Sequence, residues 1–251
     1  MNYRMNETGN LFYTGNFPPS VLMIITSRCN LRCKMCAYGK NKGIDLPYPE
    51  FEKLALEMKA NGVSVIYLSG GEPALHPDFQ KIIVFLKELG FIVRLSTNGT
   101  LFTGGRIREL ELVDSISISL DGPGPVHDEI RGVPGTFAKV LRGIRNIMAS
   151  YPSIPLSVSV TVLPENASFI EDLIRLAQTE GIANLGFQPF VPYFCDEDQR
   201  AGISKQSLKT MTQIQNVFQW LAGYPGNLGN IKEYYGLCQE FCAGNYHKIP
   251  S

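Results

Sequence analysis

The stretch SISISLD at residues 115–121 decides the fold, because polar and apolar side chains alternate along it with a period of two. A strand directs successive side chains to opposite faces, so the three serines and Asp121 share one face and the aliphatic side chains share the other. The stretch SVSVTV at residues 157–162 alternates in the same way. The strand-like run that ends LSTN at residues 95–98 adds Ser96 and Asn98 to a polar face. Several strands of this chain therefore carry one polar face.

Short strand-like runs alternate with longer helix-like segments along most of the chain. Strands are predicted at Val21–Ser27, Ser64–Ser69, Phe91–Thr97, Ser115–Leu120, Leu156–Leu163 and Asn184–Phe190. Helices are predicted at Pro49–Asn61, Pro77–Leu89, Gly105–Leu112, Thr136–Ser150, Glu165–Glu180 and Ser204–Leu221. Six strand–helix units predict parallel strands joined by right-handed crossovers, in an α/β layer that is either open or closed into a barrel.

The polar faces favour the barrel over a plain open layer. Parallel strands that are covered by helices on both sides are usually apolar throughout. A polar face among strands that alternate with crossover helices therefore indicates a lumen that holds a polar ligand. The alternative is an antiparallel sheet with one face in water, because such a sheet shows the same alternation.

The composition is that of an ordinary globular protein, with 251 residues of which 44% are hydrophobic and 18% are charged. The 23 Lys and Arg residues balance the 23 Asp and Glu residues. Zero net charge argues against broad binding to nucleic acids or anionic membranes. The longest apolar stretch, Val21–Ile25, is too short to span a bilayer, and Met1–Asn16 lacks the apolar region of a signal peptide. We expect a cytoplasmic protein with reduced thiols.

The stretch TSRCNLRCKMC at residues 26–36 places Cys29, Cys33 and Cys36 in a C-x3-C-x2-C spacing directly after the first predicted strand. Three thiolates this close together can bind one soft metal centre. Structural zinc sites use four protein ligands, and a [4Fe–4S] cluster usually takes four cysteines, so three leave one iron free for another ligand. Three unrelated buried thiols, or a zinc loop completed by a distant residue, are the alternatives.

The residues after the later strands reduce the weight of those alternatives. GGEP at residues 70–73 follows the second predicted strand, STNG at residues 96–99 follows the third, and SLDG at residues 119–122 follows the fourth. HDEIRG comes next at residues 127–132. Together with the cysteines, in this order and at strand ends, these motifs resemble the radical S-adenosylmethionine (SAM) superfamily. The resemblance covers roughly residues 21–190.

The resemblance implies a partial (β/α)6 barrel of parallel strands, with a [4Fe–4S] cluster on Cys29, Cys33 and Cys36. It implies that SAM chelates the open iron through its amino and carboxylate groups. An electron from a donor such as flavodoxin or ferredoxin then cleaves SAM to methionine and a 5′-deoxyadenosyl radical, which abstracts hydrogen from a substrate. The chain is thus expected to be an enzyme, an iron–sulfur oxidoreductase whose reaction subclass stays open.

The GGEP motif supplies four of the residues that the resemblance assigns to SAM binding. Gly70 and Gly71 carry no side chain, so their backbone can approach a ligand closely. Glu72 offers an anionic acceptor that suits the ammonium group of SAM, and Pro73 completes the motif.

Four polar residues after the third and fourth strands are further candidates for SAM binding. Asn98 and Ser119 can hydrogen-bond the ribose or the methionine carboxylate from the lumen face, and Ser96 belongs to the same face. Asp121 either joins them or caps the turn that follows it.

Arg131 is the last candidate for SAM binding, in the HDEIRG motif. Its guanidinium can pair with a carboxylate of SAM or of the substrate. An ion pair at the surface with Asp128 or Glu129 explains the same residue equally well.

The chain divides into three predicted parts. Residues 1–20 form an N-terminal segment, residues 21–222 form the barrel, and residues 223–251 form a C-terminal extension that contains cysteines. The boundary near residue 222 is marked by a run rich in Gly, Pro and Asn, which favours turns.

Cys238 and Cys242 in the extension predict a second metal site. The stretch that begins at Cys242 resembles the opening of the SPASM or twitch extension, which holds an auxiliary iron–sulfur cluster. The chain ends at Ser251, before the later cysteines of that extension, so only Cys195 is left to join them, short of four thiolates. We expect an incomplete site or a longer natural protein, and two thiols on a frayed tail are the alternative.

The function that the sequence favours is radical SAM chemistry on a peptide or on a cofactor precursor. A radical SAM enzyme acting on a small molecule or a lipid is a second possibility. A zinc- or iron–sulfur-binding structural or sensor protein without turnover is a third, although a structural zinc site has no need of the GGEP motif.

Overall fold

The structure, a computed structural model, describes residues 3–5, 11–13, 18–39, 43–190, 208–226, 228, 234–235 and 238. Its strands are β1 (Tyr3–Met5), β2 (Leu11–Tyr13), β3 (Ser20–Thr26), β4 (Val65–Gly70), β5 (Ile92–Thr97), β6 (Ser115–Ser119), β7 (Leu156–Val162) and β8 (Asn184–Pro189). Its α-helices are α1 (Tyr48–Ala60), α2 (Phe79–Glu88), α3 (Pro125–Arg131), α4 (Thr136–Ser150), α5 (Ile170–Thr179) and α6 (Leu208–Gly223).

The main sheet contains six parallel strands in the order β3-β4-β5-β6-β7-β8. Each strand pairs with the next one along the chain, so crossovers of one hand place the connecting helices on one side of the sheet. The opposite side then becomes the concave face of an open, partial barrel. The predicted (β/α)6 barrel is confirmed, and the antiparallel alternative is wrong.

The alternation in β6 and β7 separates the core from the lumen. Ile116 and Ile118 are buried in the hydrophobic core, as are the three valines of β7. The serines between them stay partly exposed on the other side. Burial of the aliphatic side chains against the helices stabilises each strand, at roughly 25 cal/mol per Å² of apolar surface. The serine face is left for the lumen, as the sequence predicts.

Three elements differ from the sequence-based expectations. The predicted helix Gly105–Leu112 is a 3-10 helix at Gly104–Leu110. The N-terminal segment, for which no strand was predicted, contains the antiparallel pair β1–β2. The helix α3 was also missed, because a seven-residue helix is too short to show apolar periodicity. The sequence marks this helix only at its ends, with Pro125 at its start and Gly132, in the left-handed conformation, after its end.

Among the described residues, no helix is both long enough and apolar enough to cross a membrane.

Candidate active site

The three cysteines of the C-x3-C-x2-C motif line one cavity at the carboxyl ends of the strands. All three are free thiols, and Cys33 is buried. The cavity is lined by Cys29, Leu31, Cys33, Met35, Cys36, Tyr38, Ser69, Gly70, Gly71, Ser96, Thr97, Asn98, Ser119 and Arg131. The fold thus brings together the cysteine loop, the two glycines of GGEP and the polar ends of β5 and β6.

Backbone hydrogen bonds hold the cysteine loop from two sides. The amide of Gly71 donates to the carbonyl oxygen of Thr26 at 2.8 Å, and that of Glu72 donates to Arg28 at 2.7 Å. From the other side, the amides of Arg32 and Lys34 donate to carbonyl oxygens at the end of α3. These bonds pair backbone groups that the loop would otherwise leave unsatisfied, so they fix the cysteines without a regular element.

The two glycines of GGEP are required by the close approach of the cysteine loop. Gly70 has a backbone φ of +140°, which residues with a side chain rarely adopt. A Cβ added at Gly70 would lie 2.1 Å from the carbonyl oxygen of Thr26. At Gly71 an added Cβ would lie 2.2 Å from the carbonyl oxygen of Arg28. Neither oxygen can move aside easily, because each already accepts a backbone hydrogen bond. The absence of side chains at Gly70 and Gly71 therefore allows the cysteine loop to pack against the GGEP turn. It also leaves the backbone of the two glycines open to the cavity.

We expect Gly71→Ala to lower the free energy of unfolding by about 2 kcal/mol, because the new methyl group overlaps backbone that cannot relax. Urea denaturation measures this change. The matched control is Gly105→Ala, where an added Cβ meets nothing within 4 Å. Equal stability of the two variants would show that the cysteine loop is free to shift.

Glu72 is fully buried and is bonded to the protein, not to the cavity. Its Oε1 accepts from the hydroxyl of Thr97 at 2.7 Å and from the amide of Ala74 at 3.3 Å, and its Oε2 accepts from the amide of Asn98 at 2.8 Å. Burial raises its pKa above the usual value for a glutamate. The carboxylate ties the end of β4 to the end of β5. Its contact with the ammonium of SAM stays a prediction. Pro73 is also buried, at the start of a 3-10 turn.

Asn98 joins β5 to the cysteine loop through a chain of side-chain hydrogen bonds. Its Nδ2 donates to Oδ1 of Asn30 at 2.8 Å, and its Oδ1 accepts from the hydroxyl of Thr100 at 2.6 Å. The Nδ2 of Asn30 closes the ring by donating to the same hydroxyl at 2.8 Å. Asn98 therefore lines the cavity in a fixed orientation, and Ser96 and Ser119 line it beside Asn98.

Arg131 and Asp121 form a buried ion pair. The Nη2 of Arg131 lies 2.6 Å from Oδ2 of Asp121, which is fully buried, and Oδ1 of Asp121 accepts from the amide of Thr161 at 2.9 Å. Asp121 is not in the lining of the cavity, and its contacts orient Arg131 and join β6 to β7. Its part in binding SAM stays a prediction. Arg131 lines the cavity itself.

The predicted surface ion pair of Arg131 is wrong, because the neighbouring acidic residues have other partners. Asp128 accepts from the amides of Gly135 at 2.6 Å and Phe137 at 2.7 Å, at the start of α4. Glu129 accepts from the Nζ of Lys34 at 2.6 Å at the surface.

The guanidinium of Arg131 also faces a thiol of the cysteine loop. Its Nη1 lies 3.7 Å from the Sγ of Cys33, and its buried Nε has no hydrogen-bond partner within the described part of the chain. Although burial alone would lower it, the nearby carboxylate of Asp121 and thiol of Cys33 raise the pKa of Arg131 above its usual value. A fixed positive charge therefore stands beside the thiols at all pH values of interest.

His127, the first residue of the HDEIRG motif, belongs to the same group of residues, although no role was predicted for it. Its Nδ1 accepts a hydrogen bond from the amide of Asp121 at 3.0 Å, so the imidazole holds the turn after β6. Burial, with a smaller contribution from Arg131, lowers the pKa of His127 to about 3. The ring is therefore neutral near pH 7.

The three thiols have the chemistry of a metal-ligating set. Burial, together with the proximity of Cys33, Glu72 and Cys36, raises the pKa of Cys29 to about 11. Positively charged metal would relieve that repulsion by binding the thiolates. Within the described ranges, no three His, Cys, Asp or Glu side chains are arranged around a single metal ion. A [4Fe–4S] cluster presents a separate iron to each thiolate, and three thiols that line one cavity fit such a cluster, with the guanidinium of Arg131 in the same lining for a carboxylate.

The second predicted metal site is only partly within the described residues. Cys238 is buried in the hydrophobic core, and burial raises its pKa. Cys195 and Cys242 lie outside the described residues. The auxiliary cluster stays a prediction.

A family model described as the radical SAM superfamily matches residues 23–177. An AdoMet-dependent heme synthase of Oleidesulfovibrio alaskensis is 34% identical over 235 residues, covering 90% of this chain and 56% of that protein. A PqqA peptide cyclase of Ruegeria pomeroyi is 33% identical over 176 residues, covering 67% of this chain and 46% of that protein. The chain spans about half the length of the curated relatives it matches.

Solved structures show the same fold. A structure of anSMEcpe with bound AdoMet and a Kp18Cys peptide has a TM-score of 0.68 at 23% identity, covering 90% of this chain and 66% of that one. Streptococcus suis SuiB bound to its precursor peptide SuiA has a TM-score of 0.62 at 15% identity, covering 76% of this chain and 46% of that one.

Proposed function

The chain belongs to the radical SAM superfamily, and from this premise we propose that it cleaves SAM reductively and abstracts hydrogen from a peptide or a cofactor precursor. The observation that carries the proposal is the single cavity in which the three thiols of the C-x3-C-x2-C motif meet Gly70, Gly71 and the ends of β5 and β6. The family's cofactors are a [4Fe–4S] cluster and SAM. The named relatives are enzymes, which favours turnover over a structural or sensor role.

Cys29, Cys33 and Cys36 would hold the cluster, which supplies the electron that cleaves SAM. The chain's part is to position SAM. Backbone of the GGEP turn reaches the cavity because Gly70 and Gly71 carry no side chain. The position of Arg131 in the lining of the cavity supports pairing of its guanidinium with the carboxylate of SAM, and Asp121 fixes the guanidinium in place.

The hydroxyl and amide groups at the ends of β5 and β6 would bind the neutral polar parts of SAM. Ser96, Asn98 and Ser119 line the cavity, and Asn98 is oriented by its bonds to Asn30 and Thr100. Hydrogen bonds from held side chains orient a ligand at a lower entropic cost than bonds from mobile ones.

Two observations support the proposed substrate class: the kinds of relatives that the chain resembles, and the polar groups that face the lumen. The relatives include heme synthases, a peptide cyclase and a sporulation killing factor maturation protein. Two kinds of substrate are therefore consistent with the family, a peptide and a tetrapyrrole. The lumen face of β6 and β7 presents hydroxyl groups, which suits a polar substrate.

We also propose an electron donor and a division of the chain into parts. The electron would come from a flavodoxin or ferredoxin in the cytoplasm, where the thiols stay reduced. Residues 21–222 would form the catalytic barrel, and residues 223–251 would begin an extension with Cys238 and Cys242.

Anaerobic reconstitution tests the proposed function. Protein supplied with iron and sulfide should turn brown, with broad absorption at about 400 nm. With dithionite and SAM it should release 5′-deoxyadenosine and methionine, measured by liquid chromatography. Stoichiometric zinc with no binding of SAM would instead support the structural or sensor alternative.

A further inference from the structure

A second cavity lies at the amino-terminal ends of β5–β8, away from the cysteines. It is lined by Ile92, Arg94, Asp114, Ser115, Pro155, Leu156, Ser157 and Asn184. None of these residues lines the cysteine cavity. Arg94 lies on β5 two residues before Ser96, so both side chains belong to the concave face of the sheet.

Arg94 is held in place although it is exposed. Its Nη1 donates to the hydroxyl of Tyr67 at 2.6 Å, and its guanidinium lies 5.2 Å from the centre of the same ring. Tyr67 is directly opposite Arg94 in the pairing of β4 with β5. A guanidinium that is stacked and hydrogen-bonded loses less entropy when it binds a ligand.

The positive charge of Arg94 has no carboxylate partner within the part of the chain that the structure describes. The acidic residue of the cavity, Asp114, is taken, because its Oδ2 accepts from the Nζ of Lys87 at 2.6 Å and from the amide of Val93 at 2.7 Å. Ser115 is opposite Arg94 in the pairing of β5 with β6, and Asn184 adds an amide on the far side. The cavity therefore combines the guanidinium of Arg94 with a carboxylate that is already paired and with neutral hydrogen-bonding groups.

The space between Arg94 and the cysteine end of the sheet is neutral and polar. A third cavity shares Ser157 and Asn184 with the one at Arg94 and continues past Ser117, Ser159 and Gln188. Along β5, Arg94 stands about 13 Å from Asn98, at about 3.3 Å per residue. A molecule bound at Arg94 can therefore extend along hydroxyl groups towards the cavity of the three thiols.

We propose that Arg94, oriented by Tyr67, binds a carboxylate of the substrate at the amino-terminal end of the lumen. The planar guanidinium matches a carboxylate in a two-point hydrogen bond, and the acidic residue in the lining of the same cavity, Asp114, is already paired with Lys87. The carboxylate belongs either to a tetrapyrrole side chain or to a peptide. This inference rests on the proposed function, because it places the substrate in the lumen of the same barrel.

Chemical modification of arginine tests the subsite on the reconstituted full chain. Phenylglyoxal labelling of Arg94 is followed by mass spectrometry, with the exposed Arg175 as an internal control. Hexanoate should slow the labelling of Arg94 by about tenfold and leave Arg175 unchanged, whereas hexanamide should protect neither.

Two further probes distinguish the source of the carboxylate. The tetrapyrrole probe is coproporphyrin III, compared with its methyl ester, and the peptide probe is a short Gly-Ala-Ser peptide with a free or an amidated C-terminus. Protection of Arg94 by one free acid only assigns that source, and protection by both supports a general carboxylate subsite. If hexanoate, coproporphyrin III and the free peptide all fail to protect Arg94, the proposal is overturned.

An affinity measurement gives the subsite a second readout. Arg94→Gln should weaken the binding of the protecting probe by about tenfold, and Arg175→Gln should leave it unchanged. Equal affinity in Arg94→Gln and the unaltered protein would overturn the subsite. The labelling needs no turnover, so protein that protects Arg94 without cleaving SAM contradicts only the proposed function. Protein that cleaves SAM without protecting Arg94 contradicts only the subsite.

Discussion

The variant in which Cys29, Cys33 and Cys36 are all replaced by alanine should bind no [4Fe–4S] cluster and release no 5′-deoxyadenosine. The three thiols line one cavity, and a cluster that loses all three thiolates keeps no protein ligand there. Iron and sulfide content after anaerobic reconstitution measures the first effect, and chromatography after addition of dithionite and SAM measures the second. We expect both to fall to background.

The control for the cysteine variant is Lys34→Ala in the same loop. Lys34 is exposed and pairs with Glu129 at the surface, so its loss should change the free energy of unfolding by less than about 1 kcal/mol and leave iron content unchanged. Cleavage of SAM by the triple-alanine variant would place the reaction elsewhere in the protein. Loss of iron from Lys34→Ala as well would mean that any change in the loop removes the cluster.

Asp121→Asn should lower the free energy of unfolding by about 3–5 kcal/mol. In the unaltered protein, Nη2 of Arg131 lies 2.6 Å from Oδ2 of Asp121. The substitution replaces this carboxylate by a neutral amide, so the guanidinium stays buried without a negative partner. Because Arg131 also contacts Cys33, the variant should reconstitute with less iron than the unaltered protein. Urea denaturation and iron analysis measure the two effects separately.

A double substitution separates the ion pair from general damage to the core. Replacing Asp121 by Leu and Arg131 by Met removes both charges, so it should cost less stability than Asp121→Asn alone. Glu129→Gln, which breaks only a surface pair, is the matched control and should change stability by less than about 1 kcal/mol. A cost below about 1 kcal/mol for Asp121→Asn would show that water or a relaxed side chain replaces the carboxylate.

The inferred subsite at Arg94 bears on the choice between the two substrate classes. Peptides and the tetrapyrroles of the named heme synthases both carry carboxylates, so Arg94 alone does not separate them. The neutral hydroxyl groups between Arg94 and the thiols are the part of the lumen that a substrate must cross. Which free acid protects Arg94 is therefore the measurement that selects the class.

The sequence by itself favoured a barrel of parallel strands and indicated which loop carries its chemistry. Period-two alternation in residues 115–121 identifies a strand with one polar face, and the spacing of the three cysteines identifies a metal-ligating loop. Both are local signals, since they depend on residues a few positions apart. The repeated strand–helix units predicted parallel strands joined by right-handed crossovers, and the structure shows that consecutive strands lie side by side.

Only the tertiary structure decided what the charged residues near the site contact. Glu72 is a connector between strands, Asp121 is the partner of Arg131, and Arg94 points to a cavity of its own. The contact between Arg131 and Cys33 joins residues that are 98 positions apart. No local pattern encodes such a pair, because the register of the sheet and the packing of α3 against the cysteine loop set the distance between its members. Burial then determines how these charged groups pair, because a charged group that is removed from water is stable only when the fold places a partner beside it.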